Sequence, residues 1–276
     1  MGSAGPRRGA GKRAYGVAAT TRKRRRLATV ASLYRYPIKG LSAVSLREIN
    51  VTPEAGVPLD RAFALAHGSA QFDPLNPEWQ PPASFFQLKR DERLAMLQTS
   101  YDAASGVLTV LRDGRRVARG NLDQTAGRMV LEQFFDAWLK PAGRGRPKLL
   151  RAAGHGFSDA PEPLVSLIGN ASIKDLERVV GRPVDPLRFR ANLYLDGLPA
   201  WAEFAWVGRR VRIGGATLVI VERIVRCAAT NVDPATGARD LNLPGALQRA
   251  YGHTELGVYG RVVAAGRIAP GDAVEL

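Results

Sequence analysis

The sequence predicts a mainly β protein with a few helices, divided into an N-terminal β-domain and a C-terminal β-barrel. Three observations carry this expectation. From Ala31 onward, short runs of β-type residues recur between Gly, Pro, Asn and Asp. Helical periodicity stands out in only two stretches. The later strands return at regular spacing with turn signals between them, and closing such a sheet into a barrel removes its exposed edges.

Taken in order, "ATVASLYRYPI", "SLREINVTP", "RAFALAHG" and "AMLQTSYD" each read as a strand of five to seven residues. "GVLTVLRDGRRVARG" has the form of a hairpin about Asp113-Gly114, a pair suited to a tight primed turn. A Pro-rich loop from Phe72 to Phe86 interrupts this half, long enough to serve as a lid or to be an insertion. In "MVLEQFFDAWLK", Leu131, Phe134, Phe135, Trp138 and Leu139 form one apolar helical stripe that packs on a sheet. A second helix, "SIKDLERVVGRP", opens on Ser172 with Asp175 as its capping pair and stops at Gly181 and Pro183. Strands then resume in "FRANLYLDG", "RRVRIGGATLVIVERIV", "LGVYGRVVAAG" and "GDAVEL". Pro, Gly and basic residues cluster at 141–150, which divides the chain into residues 31–145 and 146–276 behind a tail of residues 1–30.

The net charge of +15 suggests a polyanion-binding protein until it is divided along the chain. Residues 1–30 hold nine Lys or Arg and no acid, so most of the excess lies in this tail, which ends in "RKRRR". Low apolar content predicts that the tail is disordered: a plain extension, a weak polyanion-binding arm or a targeting peptide. No apolar run approaches the ~18 residues of a membrane span. A single cysteine and no secretory signal pattern predict a soluble protein in a reducing, cytoplasmic setting.

Few residues suggest chemistry. His67, His155 and His253 are scattered, without the spacing of a zinc site. No P-loop, dinucleotide fingerprint or G-x-S-x-G elbow is present. Cys227 remains, preceded by Arg223 and Arg226, whose charge favours the reactive thiolate. Strand alternation would put Arg223, Val225 and Cys227 on one face. The turn residues Asp233, Pro234 and Gly237 further along can fix the cysteine's loop in one conformation. From spacing alone, the balance tips toward Cys227 as a small buried hydrophobe at a strand end.

The order "YPIKGL", "DRAFAL", "LRFRANLYLDG", "RCAATNVDPATG" and "GVYGRVVAAGRIAPGDAV" resembles the MOSC family, the molybdenum cofactor sulfurase C-terminal domains and their relatives, with the usual MOSC N-terminal β-domain ahead of it. The resemblance covers roughly residues 31–276 and implies a MOSC-type β-barrel. In the amidoxime-reducing branch it implies that Cys227 ligates the molybdenum of a molybdopterin cofactor, a role suited to a soft thiolate. It implies cofactor contacts at Lys39, Arg61, Ser172, Arg190, Asn192, Arg226 and Thr230, and places Asp233 with Cys227 in the catalytic centre. Arg can grip the pterin's phosphate with paired bonds, and the N-terminus of the Ser172 helix adds a further anion site. The chain departs from the branch at Gly40 and Leu41, where a small polar residue and a cysteine are usual, and in extra residues before Ser172.

The resemblance therefore implies a molybdenum-dependent oxidoreductase acting on small N-hydroxylated or N-oxide substrates. A plant-type iron–sulfur cluster needs four thiolates, so electrons would come from a separate ferredoxin-like or reductase partner. The same thiol chemistry also suits a persulfide sulfur carrier.

Overall fold

The computed structural model describes residues 1–2, 28–70, 78–152, 154 and 156–276. Most of the basic tail, part of the Pro-rich loop and His155 lie outside the described residues.

Fifteen strands and three α-helices are described. In the first half these are β1 (Ala28–Arg35), β2 (Val44–Leu46), β3 (Ile49–Val51), β4 (Phe63–Ala66), β5 (Gln98–Asp102), β6 (Val107–Arg112), β7 (Arg115–Asn121), α1 (Thr125–Leu139) and β8 (Lys148–Arg151). The second half holds β9 (Val165–Gly169), α2 (Asn170–Val180), β10 (Leu193–Asp196), β11 (Arg210–Ile213), β12 (Ala216–Val225), α3 (Leu243–Tyr251), β13 (Glu255–Ala264), β14 (Gly266–Ile268) and β15 (Ala273–Glu275).

Seven strands close a barrel in the order β1-β10-β9-β13-β12-β11-β15, with β15 returning to β1 and β2 flanking the end of β1. The alternation expected of half-buried strands fills its interior with Val30, Leu33, Leu167, Leu195, Leu218, Ile220, Val258 and Val262. β9 and β10 are parallel and joined through α2, and both faces of β9 are covered. Ile168 and Tyr194 on the outer face pack against Ile173 and Leu176 of α2 and Leu243 and Leu247 of α3.

The first half has its own core around the β5-β6-β7 meander, where Phe63, Phe86, Leu108 and Val110 meet Leu131, Phe135 and Trp138 of α1. The hairpin turn has the expected primed form, with φ of 50° at Asp113 and 73° at Gly114. β1 belongs to the first half of the sequence yet is a stave of the barrel, and β3 pairs with β14 near the other end of the chain.

Several elements differ from the sequence expectation. "SLREINVTP" breaks into β2 and β3, which pair with different partners. Within the expected boundary region, β8 pairs with β4. The third helix, α3, was signalled by Asn242, whose side chain accepts from Gly245 N, by Pro244 in the first turn and by the left-handed Gly252 that ends it. Among the described residues, no helix is long and apolar enough to cross a membrane.

Candidate functional site

The first half meets the barrel along a cleft of about 890 Å³, a volume that includes space open to solvent. Its floor is built where β1 leaves the barrel. Lys39 N donates to Phe63 O (2.8 Å) and Arg61 N to Tyr36 O (2.7 Å), which stitches the "YPIKG" segment to the "DRAF" turn. Lys39, Arg61, Arg190, Asn192, Arg226, Cys227 and Thr230 all line the cleft. Seven residues picked from sequence are therefore brought together from separate stretches of chain.

Cys227 comes just after the end of β12 and is exposed, which answers the choice left open by spacing: it is not a packed core residue. Arg223, Val225 and Cys227 are all exposed, as alternation along one face requires. Thr230 Oγ1 donates to Cys227 O (2.9 Å), closing a short 3-10 turn over Ala228–Asn231. The Arg226 guanidinium is buried and turned to backbone carbonyls, donating to Phe189 O (3.0 Å) and Leu256 O (2.8 Å). Burial lowers its pKa. Arg226 thus anchors the cysteine's strand end to β13 and to the segment before β10.

Opposite lies a stack of charge around one phenol. The guanidinium groups of Arg61 and Arg190 both lie over the Tyr36 ring, 4.8 Å and 4.3 Å from its centroid. Burial pushes the Tyr36 hydroxyl up to about 12, so it stays neutral and donates to Ala191 O. Arg61 pairs with Asp60, which holds its pKa high in spite of burial, and donates to Arg190 O (2.9 Å). Arg190 donates to Leu41 O (2.6 Å) but pairs with no carboxylate among the described residues, and its buried Nη2 has no hydrogen-bond partner. Burial and the neighbouring Arg61 lower it to about 10. Arg61 and Arg190 also hold left-handed backbones, φ 50° and 52°, a strain of about 1–3 kcal/mol each that concentrates at functional sites.

Lys39 is buried, donating to Phe157 O (3.0 Å) and Asp159 Oδ1 (2.5 Å), and burial lowers its pKa. Asn192 lies on the cleft wall as a hub: its Oδ1 accepts from Ser166 N and Oγ, and its Nδ2 donates to Tyr34 O. Among the described residues, Lys39, Arg61, Arg188, Arg190 and Arg226 line the cleft with one carboxylate, Asp159, while Asp60 pairs with Arg61 from outside the lining, so the cleft carries an excess of positive charge.

Asp233 and Ser172 do not line the cleft. Asp233 Oδ1 accepts from Ala235 N, Thr236 N and Thr236 Oγ1, and Oδ2 pairs with Arg188 (3.0 Å), so its carboxylate is spent on holding the loop. Ser172 lies inside α2, which begins at Asn170, and its hydroxyl donates to the buried Glu203 (2.8 Å). Glu203 also accepts from Gly169 N (3.1 Å), so the helix N-terminus already has its anion and offers no site to the cleft. Asp175 caps nothing at that end; it accepts from Trp201 Nε1 and the Tyr251 hydroxyl.

Sequence reasoning missed Tyr36, Asp60 and Arg188, although each lies within a quoted stretch, and Asp159, which lies among the extra residues before Ser172. Arg188 is buried and bridges Asn231 O, Asp233 and Asp240, tying the cysteine's loop to the segment before β10. A cation of that kind is indistinguishable from a surface charge until its partners are placed.

Comparison with known proteins agrees with this architecture. The model of the MOSC domain matches residues 154–275, and that of the MOSC N-terminal beta barrel domain matches residues 27–139. A molybdenum cofactor sulfurase of Caenorhabditis briggsae is 27% identical over 90% of this chain, which spans only 35% of that protein's length. The mitochondrial amidoxime-reducing component 1 of Mus musculus is 26% identical over 88% of this chain and 79% of its own, and the Homo sapiens protein of the same name is 24% identical over 84% and 75%. The two domain models together account for most of the sequence, and the chain belongs to the MOSC family, joining a MOSC N-terminal beta barrel domain to a MOSC domain.

Proposed function

We propose that the chain binds a molybdenum cofactor in this cleft, with Cys227 as the protein's ligand to the metal, and reduces N-hydroxylated or N-oxide small molecules. The observation that carries the reading is the placement of an exposed Cys227 in the same cleft as Arg190, whose buried Nη2 has no partner. A buried donor left unpaired costs about 1–3 kcal/mol, and a phosphate oxygen would recover that cost with a charge-assisted bond. The cleft residues fit such a group: Arg190 and Arg61 offer guanidinium donors, and Lys39 adds a point charge.

When bound, the cofactor supplies a metal that can take an oxygen atom from substrate and cycle by two electrons. The chain's own part is positional. Thr230, Arg226 and the Arg188-braced loop hold Cys227 at a fixed, exposed strand end, while the cationic wall orients the anionic end of the ligand. The amidoxime-reducing relatives, aligned over more than four-fifths of this chain, support the reaction class. With one cysteine, these 276 residues cannot ligate a four-thiolate cluster, so electrons come from a donor outside them.

A second reading has its own support. An exposed, unpaired thiol is also what a persulfide carrier needs, and the sulfurase relative is similar over 90% of this chain. One purification from a host that makes the cofactor separates the two. Near-stoichiometric molybdenum and pterin in the wild type, lost in Cys227→Ser, is the expected result. Metal-free protein with cyanide-releasable sulfur on Cys227 would select the carrier. For Arg190→Met, loss of a charge-assisted contact of about 1.5–3 kcal/mol predicts at least tenfold weaker pterin retention, read by pterin fluorescence after gel filtration.

A further inference from the structure

We infer that Asp159 is a resident anion of the cleft, which holds Lys39 and must give it up when a phosphate group binds. The inference rests on the reading of the cleft as a phosphate site and adds to it the residue that opposes occupancy.

The two partners of the pair are unequally placed. The Lys39 side chain is 8% exposed, so its ammonium cannot turn to water, and Asp159 is its only carboxylate partner among the described residues. The Asp159 side chain is 63% exposed and its carboxylate can be hydrated without the pair. Its backbone is pinned on both sides. The Ser158 carbonyl accepts from Trp79 Nε1 (3.2 Å), Phe157 is buried beside Phe85 with ring centroids 5.1 Å apart, and Glu162 pairs with Arg261. Release therefore needs a rotation of one side chain, not movement of the segment.

Asp159 also feels the charges of Arg61 and Arg190, so its carboxylate stands among the cations that would receive a phosphate. Asp60 already neutralises Arg61, whereas Arg190 has no carboxylate of its own among the described residues. An incoming phosphate would gain Arg190 at once and Lys39 only by displacing Asp159. This contest makes the pair a determinant of affinity: removing the carboxylate strengthens anion binding, and it does so through Lys39.

The test is calorimetric titration of inorganic phosphate at low ionic strength into the full chain, purified from a host that lacks the cofactor. Asp159→Asn should bind phosphate about tenfold more tightly than wild type, and Asp159→Ala should move in the same direction. Lys39→Met should weaken binding, and adding Asp159→Asn to it should change affinity less than twofold, because there is no ammonium left to contest. Equal or weaker binding by both Asp159 variants would overturn the inference and leave the phosphate site standing. A tenfold gain that persists without Lys39 would also overturn it, since that is a general field effect. No phosphate binding by any of these proteins would remove the site and the inference together.

Discussion

Arg188 shows how much of this site is built by side chains that line the cleft yet spend their bonds on the protein itself. It brings one guanidinium to Asp233, Asp240 and a backbone oxygen, and the loop after Cys227 takes its shape around those bonds. Arg188→Met would leave two carboxylates without this partner. Both keep about a quarter of their surface in water, so the loss should be about 2–4 kcal/mol, at or below the range for a fully buried pair, measurable by denaturant unfolding. Asp175 makes a pH-dependent contribution. Hydrogen bonds from Trp201 and Tyr251 hold its carboxyl below the ordinary value. Its stabilising effect is therefore fully present above the unfolded pKa of about 3.9 and is lost as pH falls through the lower folded value. Asp175→Asn should lower the melting temperature by a constant amount above pH 5, and the gap from wild type should shrink below pH 4.

Among elements, the contact of α1 with β7 depends on two glycines. A Cβ on Gly127 would overlap the backbone of Asn121, and one on Gly120 would overlap the Gly127 carbonyl. Gly127 lies inside α1, where Gly→Ala ordinarily stabilises a helix by about 1 kcal/mol. Here the obstacle is backbone, which cannot rotate away, so the sign reverses. Gly127→Ala should destabilise by about 1–3 kcal/mol in chemical denaturation, with the loss confined to the first-half core. The N-terminus of α2 makes a similar point: Glu203, more than 30 residues further along the chain, supplies its anion, so a local capping pattern at Ser172 and Asp175 was overridden.

For the whole molecule, the decisive feature is β1. It pairs with β10 on one side and β15 on the other, so the barrel closes only with a strand from the start of the described chain. A chain beginning at Ala28 should keep a single cooperative melt. One beginning at Tyr36 should lose it and elute as aggregate, because two strand edges would be left open to pairing with other chains. Size-exclusion chromatography with circular dichroism distinguishes the outcomes. The arrangement also places "YPIKG" at the cleft: β1 must leave the barrel where the first half docks.

The sequence by itself determined the local elements with strong periodicity or turn chemistry. The Asp113-Gly114 hairpin, the apolar stripe of α1, the left-handed end of α2 and the long β12 come from spacing, as does the absence of any second cysteine to partner Cys227. Motif order added the family and seven cleft residues. Tertiary structure alone decided how the cations are partnered: Arg226 is spent on backbone carbonyls, Arg188 pairs with Asp233 and Asp240, Arg61 is neutralised by its own neighbour, and Arg190 has an unpaired donor and no carboxylate among the described residues. It also decided that β1 completes a barrel formed mostly from the other half, and that Asp233 and Ser172 stay out of the cleft lining. The physical reason is the same in each case. Periodicity and turn chemistry act between residues a few positions apart, whereas charge pairing, strand order and burial depend on partners that only the folded chain brings together.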